Sequence, residues 1–367
     1  MIHSIAQNLR HFRALHGLTQ GELADKAGIS RNAYRAIETG KAEPRESNLL
    51  RIAEALGISP MDLLREVPRL QTLRFRSHKA RSVQQRAERD ELVTRIAYWL
   101  QDFNELEALL ADRKPQKIRM GQRRDTNPLR AAEQARLDMG VPQDSPIPDV
   151  CDVIEDAGIK LLMIPARSDI FYGLSIGPTD GGPAIVVNAR ANIPVERRIF
   201  SAAHELGHLL LHPGSFNGAI GEEDPEAREE TEAHSFASHF LMPQAAFDAK
   251  WNEYAGLHFV DRVLKMKRHF FVSYPTVLYR LIDIGATDSS IWAKFRHLYR
   301  HRTGKELPPK KQEPYPLAEP DFREDRLELL VRNALEQDLI TLDRAAEILG
   351  LSIEDLRARV DSWSAAR

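Results

Sequence analysis

Cysteine is almost missing from these 367 residues: Cys151 stands alone. An internal disulfide and a cysteine-built zinc cluster are both excluded, and the chain suits a reducing compartment. Long apolar runs are missing too. No stretch approaches the roughly 20 apolar residues that a membrane-spanning helix needs. The opening MIHSIAQNLRHF is polar and helix-patterned rather than leader-like, so a cytoplasmic protein without a membrane partner is expected. Nor is there an excess of either charge, with 51 Lys and Arg against 53 Asp and Glu, a formal net charge of −2. A whole-chain polycation is excluded, and any DNA contact must come from a local basic surface. The length, by contrast, allows two or three domains, each with its own core.

Residues 1–66 read as short, clearly punctuated helices. Ile5, Leu9 and Phe12 form an apolar stripe closed by Gly17, and Thr19-Gln20-Gly21-Glu22 is a capping box opening a second helix. Gly28 turns the chain into a third helix, Ser30 to Glu38. A fourth ends at Gly57, and Ser59-Pro60 caps a fifth. The two helices flanking Gly28 have helix-turn-helix spacing. Residues 67–144 read as a helical, basic connector: positions 65–124 hold fifteen Lys and Arg against eight Asp and Glu, and Leu92, Ile96, Trp99, Leu100, Phe103, Leu106 and Leu110 recur at helical spacing. Its charged face is either solvated or adds affinity for DNA or a partner.

Residues 145–300 alternate between strand and helix signals. A helix around 147–156 precedes strand candidates at 160–165, 170–176 and 184–188, then helices at 194–212 and 225–242 separated by a polar loop, 215–224. A Pro/Lys-rich linker follows at 301–322, and a small helical module at 323–367 has helix-turn-helix rhythm without a basic reading face. The expected fold is multidomain and mainly α: an all-α head, an α+β domain with a small sheet, and a helical tail.

The chemistry centres on Ala202-Ala203-His204-Glu205-Leu206-Gly207-His208. Residues four apart on a helix project about 40° from each other, so the imidazoles of His204 and His208 can converge on one ion. Glu205 lies beside that site, placed to accept a proton from water, which is the H-E-x-x-H arrangement of zinc hydrolases. Gly207 costs about 1 kcal/mol against Ala in a helix and suits a close approach of another segment. The acid-rich helix EAREETEAHSFASHFLMP could supply a third ligand. Its apolar face leaves Glu230 as the better candidate and Glu229 as the second, with Glu232 turned about 160° away toward solvent. His212, His234 and His239 compete for the same role.

Two resemblances sharpen these readings. RRIFSAAHELGHLLLHP followed by EETEAHSFASHFLMP, with the strands FYGLSIG and AIVVNA and the later SYPTVLYRLIDIG, resembles the ImmA/IrrE family of zinc metallopeptidases over roughly 145–285. That resemblance implies Zn2+ held by His204, His208 and Glu230, with Glu205 as general base. LRHFRALHGLTQGELADKAGISRNAYRAIETGKAEPRESNLLRIAEALGISPMDLL resembles the XRE-type, lambda-repressor-like helix-turn-helix. It implies a double-stranded DNA operator as partner, with Arg31, Asn32 and Arg35 reading bases in the major groove and Gln20, Lys41 and Asn48 touching phosphates. Ala36 thins the readout. The expected whole is a DNA-binding regulator, a homodimer, fused to a zinc endopeptidase that cleaves a repressor-type protein or its own stretch around 113–128. The alternative is a repressor or antitoxin whose peptidase-like fold is a non-catalytic sensor or dimerisation domain.

Overall fold

The computed structural model describes every residue except 1, 67, 69, 71, 76–82, 119–126, 167–170, 217–226, 310, 311 and 365–367. The chain divides into two units. One comprises Met1–Leu70, Ala80–Asp112 and Leu327–Arg367, and the other Gln71–Lys79 and Arg113–Arg326.

The head opens with α1 (Ile2–Leu15), α2 (Gln20–Lys26), α3 (Arg31–Glu38), α4 (Glu46–Leu56) and α5 (Pro60–Leu64). Local chemistry sets these limits. The Thr19 hydroxyl accepts the Glu22 N–H while the Glu22 carboxylate accepts the Thr19 N–H, satisfying two otherwise orphan donors of α2. Gly28, at φ +64°, makes the left-handed turn into α3 that a side chain would resist. Leu9, Leu23, Tyr34, Ile37, Ile52 and Leu63 then meet in one apolar core.

The chain next contributes β1 (Leu73–Phe75) to the second unit and returns with α6 (Val83–Leu109). This helix is not a solvated connector. Leu92, Ile96, Trp99, Leu100, Phe103 and Leu106 are buried, the Tyr98 ring stacks on His11 at 4.6 Å, and the Tyr98 hydroxyl bonds Asn8. Asn8 also donates to the carbonyls of Asp62, Leu63 and Arg65, locking the end of α5. The stretch 67–144 is therefore split: 80–112 packs with the head and 113–144 with the second unit. The charge count could not reveal this, because the apolar stripe of α6 faces partners distant in sequence.

The second unit continues with α7 (Pro128–Asp138), α8 (Val150–Asp156), β2 (Lys160–Ile164), β3 (Gly173–Ile176) and β4 (Ala184–Asn188). After these come α9 (Val195–Leu211), α10 (Ala227–Leu241), α11 (Gln244–Glu253), α12 (Phe259–Phe270), α13 (Tyr274–Asp283) and α14 (Ile291–Thr303). The sheet order is β1-β3-β4-β2, with β2 parallel to β4 and the other pairs antiparallel. The third strand candidate matches β4, the second shrinks to 173–176 with Ile170 outside the described residues, and β1 was not expected at all. Fully buried Arg136 on α7 donates to the carbonyls of Ser145 and Phe240, both at 2.6 Å, tying the end of α10 to the body of the unit.

The Pro/Lys-rich stretch 301–322 is not a free linker. Buried Lys267 pairs with buried Glu196, Glu196 also accepts the Leu317 N–H at 2.9 Å, and Phe322 sits in the core. Glu324 accepts the Met163 N–H at 3.2 Å, against β2, and burial pushes its carboxyl up to about 7. Proline made this stretch read as exposed chain, yet its backbone groups find buried charged partners. The last helices, α15 (Arg326–Glu336), α16 (Leu342–Leu349) and α17 (Ile353–Ser364), complete the first unit. Arg344 on α16 donates to Asp102 at 2.6 Å and Glu105 at 3.1 Å on α6. Among the described residues no helix is long and apolar enough to cross a membrane.

Candidate metal centre and DNA-reading helix

One turn apart on α9, His204 and His208 leave the helix on the same side. Their Nε2 atoms lie 3.1 Å apart, and both rings are buried. Glu230 on α10 reaches between them, with Oε2 3.3 Å from His204 Nε2 and Oε1 3.3 Å from His208 Nε2. Burial works to raise the Glu230 carboxyl, but hydrogen bonds and charge from the two imidazoles outweigh it and hold the group well below the usual carboxylate range. Four donors set tetrahedrally about 2.0–2.1 Å from an ion must stand about 3.3 Å from one another. The two nitrogens, 3.1 Å apart and each 3.3 Å from a Glu230 oxygen, stand near that edge length, and one donor atom from each side chain lies within 4.8 Å of the other two, so these three side chains suit a zinc ion.

Gly207 makes the approach of α10 feasible. A Cβ there would lie 3.0 Å from the Phe236 ring and 3.3 Å from the Ala233 Cα. The segment that needs room is α10 itself.

Behind His208 runs a relay. His208 Nδ1 is 2.9 Å from His212 Nδ1, and His212 Nε2 is 3.0 Å from Glu232 Oε2. The carboxylate can only accept, so His212 carries its proton on Nε2 and accepts at Nδ1 from His208. The Nε2 lone pair of His208 is thereby directed at His204 and Glu230. This corrects the expectation that Glu232 is solvated: it is only partly exposed and also takes Arg228 at 2.8 Å. A helical-wheel projection of α10 alone omits the last turn of α9, which brings His212 over it. The even spacing of 204, 208 and 212 was the signal available in the sequence.

Glu205, 2% exposed, faces the sheet. Its Oε2 accepts from the Ser175 hydroxyl at 2.9 Å. Two residues earlier on β3, Gly173 leaves the room that the carboxylate fills, since a Cβ there would come within 2.7 Å of Glu205 Cγ. Sequence reasoning passed over both, although positions two apart on a strand share a face. A cleft of about 830 Å³ opens here, lined by Tyr172, Gly173, Arg197, His204, Glu205, His234, Tyr279 and Trp292, among others.

The rival ligands point elsewhere. Glu229 accepts from Ser215 at 2.9 Å. His239 meets Arg280 at 2.9 Å and is pushed down to about 4, chiefly by burial and then by the Arg280 charge. His234 stands on the cleft wall, its ring 4.7 Å from Phe200 and 6.2 Å from His204. Of the stretch 113–128, residues 119–126 lie outside the described residues. Before them, Lys114 pairs with Asp156 at 2.9 Å and Ile118 is buried.

On the head, Ser30 caps α3 by accepting the Ala33 N–H at 3.2 Å. Arg31, Asn32 and Arg35 are exposed on its first turns, opposite buried Tyr34 and Ile37. Lys41 is exposed and Asn48 partly so. Gln20 is otherwise engaged: its amide donates to the buried carboxylate of Glu38, which also takes Arg13 at 2.6 Å.

Comparison with known proteins follows this division. An IrrE N-terminal-like domain, of peptidase family M78, matches residues 154–282, and a helix-turn-helix family matches residues 9–63. An HTH-type transcriptional regulator of Methanocaldococcus jannaschii is 44% identical over 55 residues, covering 15% of this chain and 83% of that protein. The HTH-type transcriptional regulator YqaE of Bacillus subtilis is 43% identical over 54 residues, 15% of this chain and 47% of its own. The cryptic phage CTXphi transcriptional repressor RstR of Vibrio cholerae is 40% identical over 55 residues, 15% of this chain and 49% of its own. This chain thus spans about half the length of the last two. By these similarities, the chain belongs to the XRE-type helix-turn-helix family and carries behind that head an IrrE N-terminal-like domain of peptidase family M78.

Proposed function

We propose that this protein is a DNA-binding transcriptional regulator whose second unit is a zinc-dependent endopeptidase acting on a repressor-type protein. The observation that carries the enzymatic half is Glu205, buried beside the three donors yet on the wall of the cleft, and held by Ser175. A site that only senses or only folds has no use for a carboxylate poised in this way.

His204, His208 and Glu230 would hold the metal, with His212 and Glu232 orienting His208. Bound there, Zn2+ supplies a Lewis acid for the scissile carbonyl and lowers the pKa of water toward about 7. Glu205 accepts the proton of the attacking water and passes it to the leaving amine. Ser175 and Gly173 keep its carboxylate on that line.

Gly173→Ala tests the arrangement without touching a ligand. The new Cβ must displace Glu205, and a shift near 1 Å at a reacting group costs about 100-fold in rate. Cleavage should fall by about that much while metal analysis finds wild-type zinc. Unchanged turnover would remove Glu205 from the mechanism.

The head is proposed to bind a palindromic operator as a dimer through α3, with affinity falling steeply as salt rises. Arg31→Ala and Arg35→Ala should each relax preference at single base pairs by about 1–3 kcal/mol. Titrations against operator and random DNA check this, and wild-type ratios in both variants would mean that another surface reads the sequence.

A further inference from the structure

A free strand edge beside catalytic residues can hold an extended peptide through main-chain hydrogen bonds. In this sheet the strand next to Glu205 is β3, and its other neighbour is β4. Its outer edge is already taken. β1 runs antiparallel along it, with Leu73 opposite Ile176, Arg74 opposite Ser175 and Phe75 opposite Leu174.

β1 is anchored at its start. The Thr72 N–H and hydroxyl both donate to the Asp180 carboxylate, at 2.6 and 2.8 Å, and its carbonyl accepts the Gly177 N–H at 3.2 Å. Gly177 lacks the Cβ that would come within 3.0 Å of the Thr72 hydroxyl. Antiparallel pairs alternate between hydrogen-bonded and non-bonded. With Thr72 and Gly177 bonded, Arg74 and Ser175 form the next bonded pair. The described ladder stops at Leu174, and the next two residues back along the chain, Gly173 and Tyr172, line the cleft. An extended peptide passing Glu205 and continuing along β3 must therefore claim the positions that Thr72–Phe75 hold.

We propose that β1 is a resident occupant of the substrate-strand site: the outer edge of β3 binds an extended segment of the target polypeptide, antiparallel and through its main chain, and β1 must leave for that segment to bind. A three-residue strand paired on one side contributes little stability, which suits exchange. Residues 71–79 are the excursion of the second unit between two parts of the first, so the restraining strand is covalently continuous with the DNA-reading head. The identity of the ligand rests on the peptidase reading, whereas the exchange itself does not.

The probe is a fluorescein-labelled peptide of sequence LQTLRFRSHK, residues 70–79, titrated by anisotropy into the full-length chain in a Glu205→Gln background to prevent turnover. A tethered strand competes at an effective concentration in the millimolar range. Arg74→Pro, which removes the N–H donated to Ser175, should bind the peptide about 10-fold or more tighter than its parent. Hydrogen exchange over 172–177 should quicken in the variant and slow again with peptide. Thr72→Val, which keeps every backbone donor and loses the hydroxyl bond to Asp180, should shift affinity the same way and stands in if proline impairs folding. Equal affinity in the parent and both variants would overturn the proposal. With Glu205 restored, tighter peptide binding in the variants without cleavage of any repressor-type protein would leave strand exchange standing and fail the peptidase reading. Cleavage of such a protein with unchanged peptide binding would do the reverse.

Discussion

Glu205→Gln is expected to leave the protein folded, zinc-loaded and bound to operator DNA, while cleavage of its protein target falls by about 100-fold or more. The amide has the shape of the carboxylate and its oxygen can still accept from Ser175, so the wall of the cleft is preserved. What disappears is the capacity to take a proton. The first target to try is an XRE-type repressor, and the second the chain's own stretch around 113–128, followed by mass spectrometry of the products. The regulatory output in cells should change together with cleavage. Equal output from wild type and variant, with no cleaved species in either, would assign the second unit to sensing or dimerisation.

The second large effect concerns the metal. Purified wild type should carry one zinc per chain, because two imidazoles and one carboxylate leave a position for water and describe a catalytic rather than a closed structural site. His204→Ala should lose most of it in elemental analysis, and Glu230→Gln likewise, since the carboxylate lies between both imidazoles. Full occupancy in His204→Ala would end the assignment. His212→Ala provides a graded control: it leaves all three donors in place but frees the His208 ring, and loss of such an orienting partner typically weakens metal binding about 10–100-fold.

Determined by the sequence alone were the features whose causes lie within a few residues. Thr19, Ser30 and Ser59 cap the helices that follow them because each hydroxyl accepts an N–H two or three residues on. Gly28 and Gly57 turn the chain because they tolerate positive φ. The four-residue spacing of His204 and His208 put two imidazoles on one side of a helix before any packing was considered. Helix geometry likewise favoured Glu230, and that is the carboxylate found between them.

Only the tertiary structure decided what depends on partners far along the chain. α6 reads as a basic rod until Tyr98 packs on α1 and Asp102 and Glu105 take Arg344 of α16, and 301–322 reads as a linker until Lys267 and Glu196 bind it down. β1 carries no periodic signal in three residues, and its register comes from β3, about a hundred positions later. The placement of Glu205 depends on a missing Cβ at Gly173 and a hydroxyl at Ser175, both on another element. Capping, turns and helical spacing act over distances the local backbone spans, so residue order encodes them directly. Burial, strand pairing and the hydrogen bonds that orient Glu205 and His208 exist only once remote segments have been brought into contact.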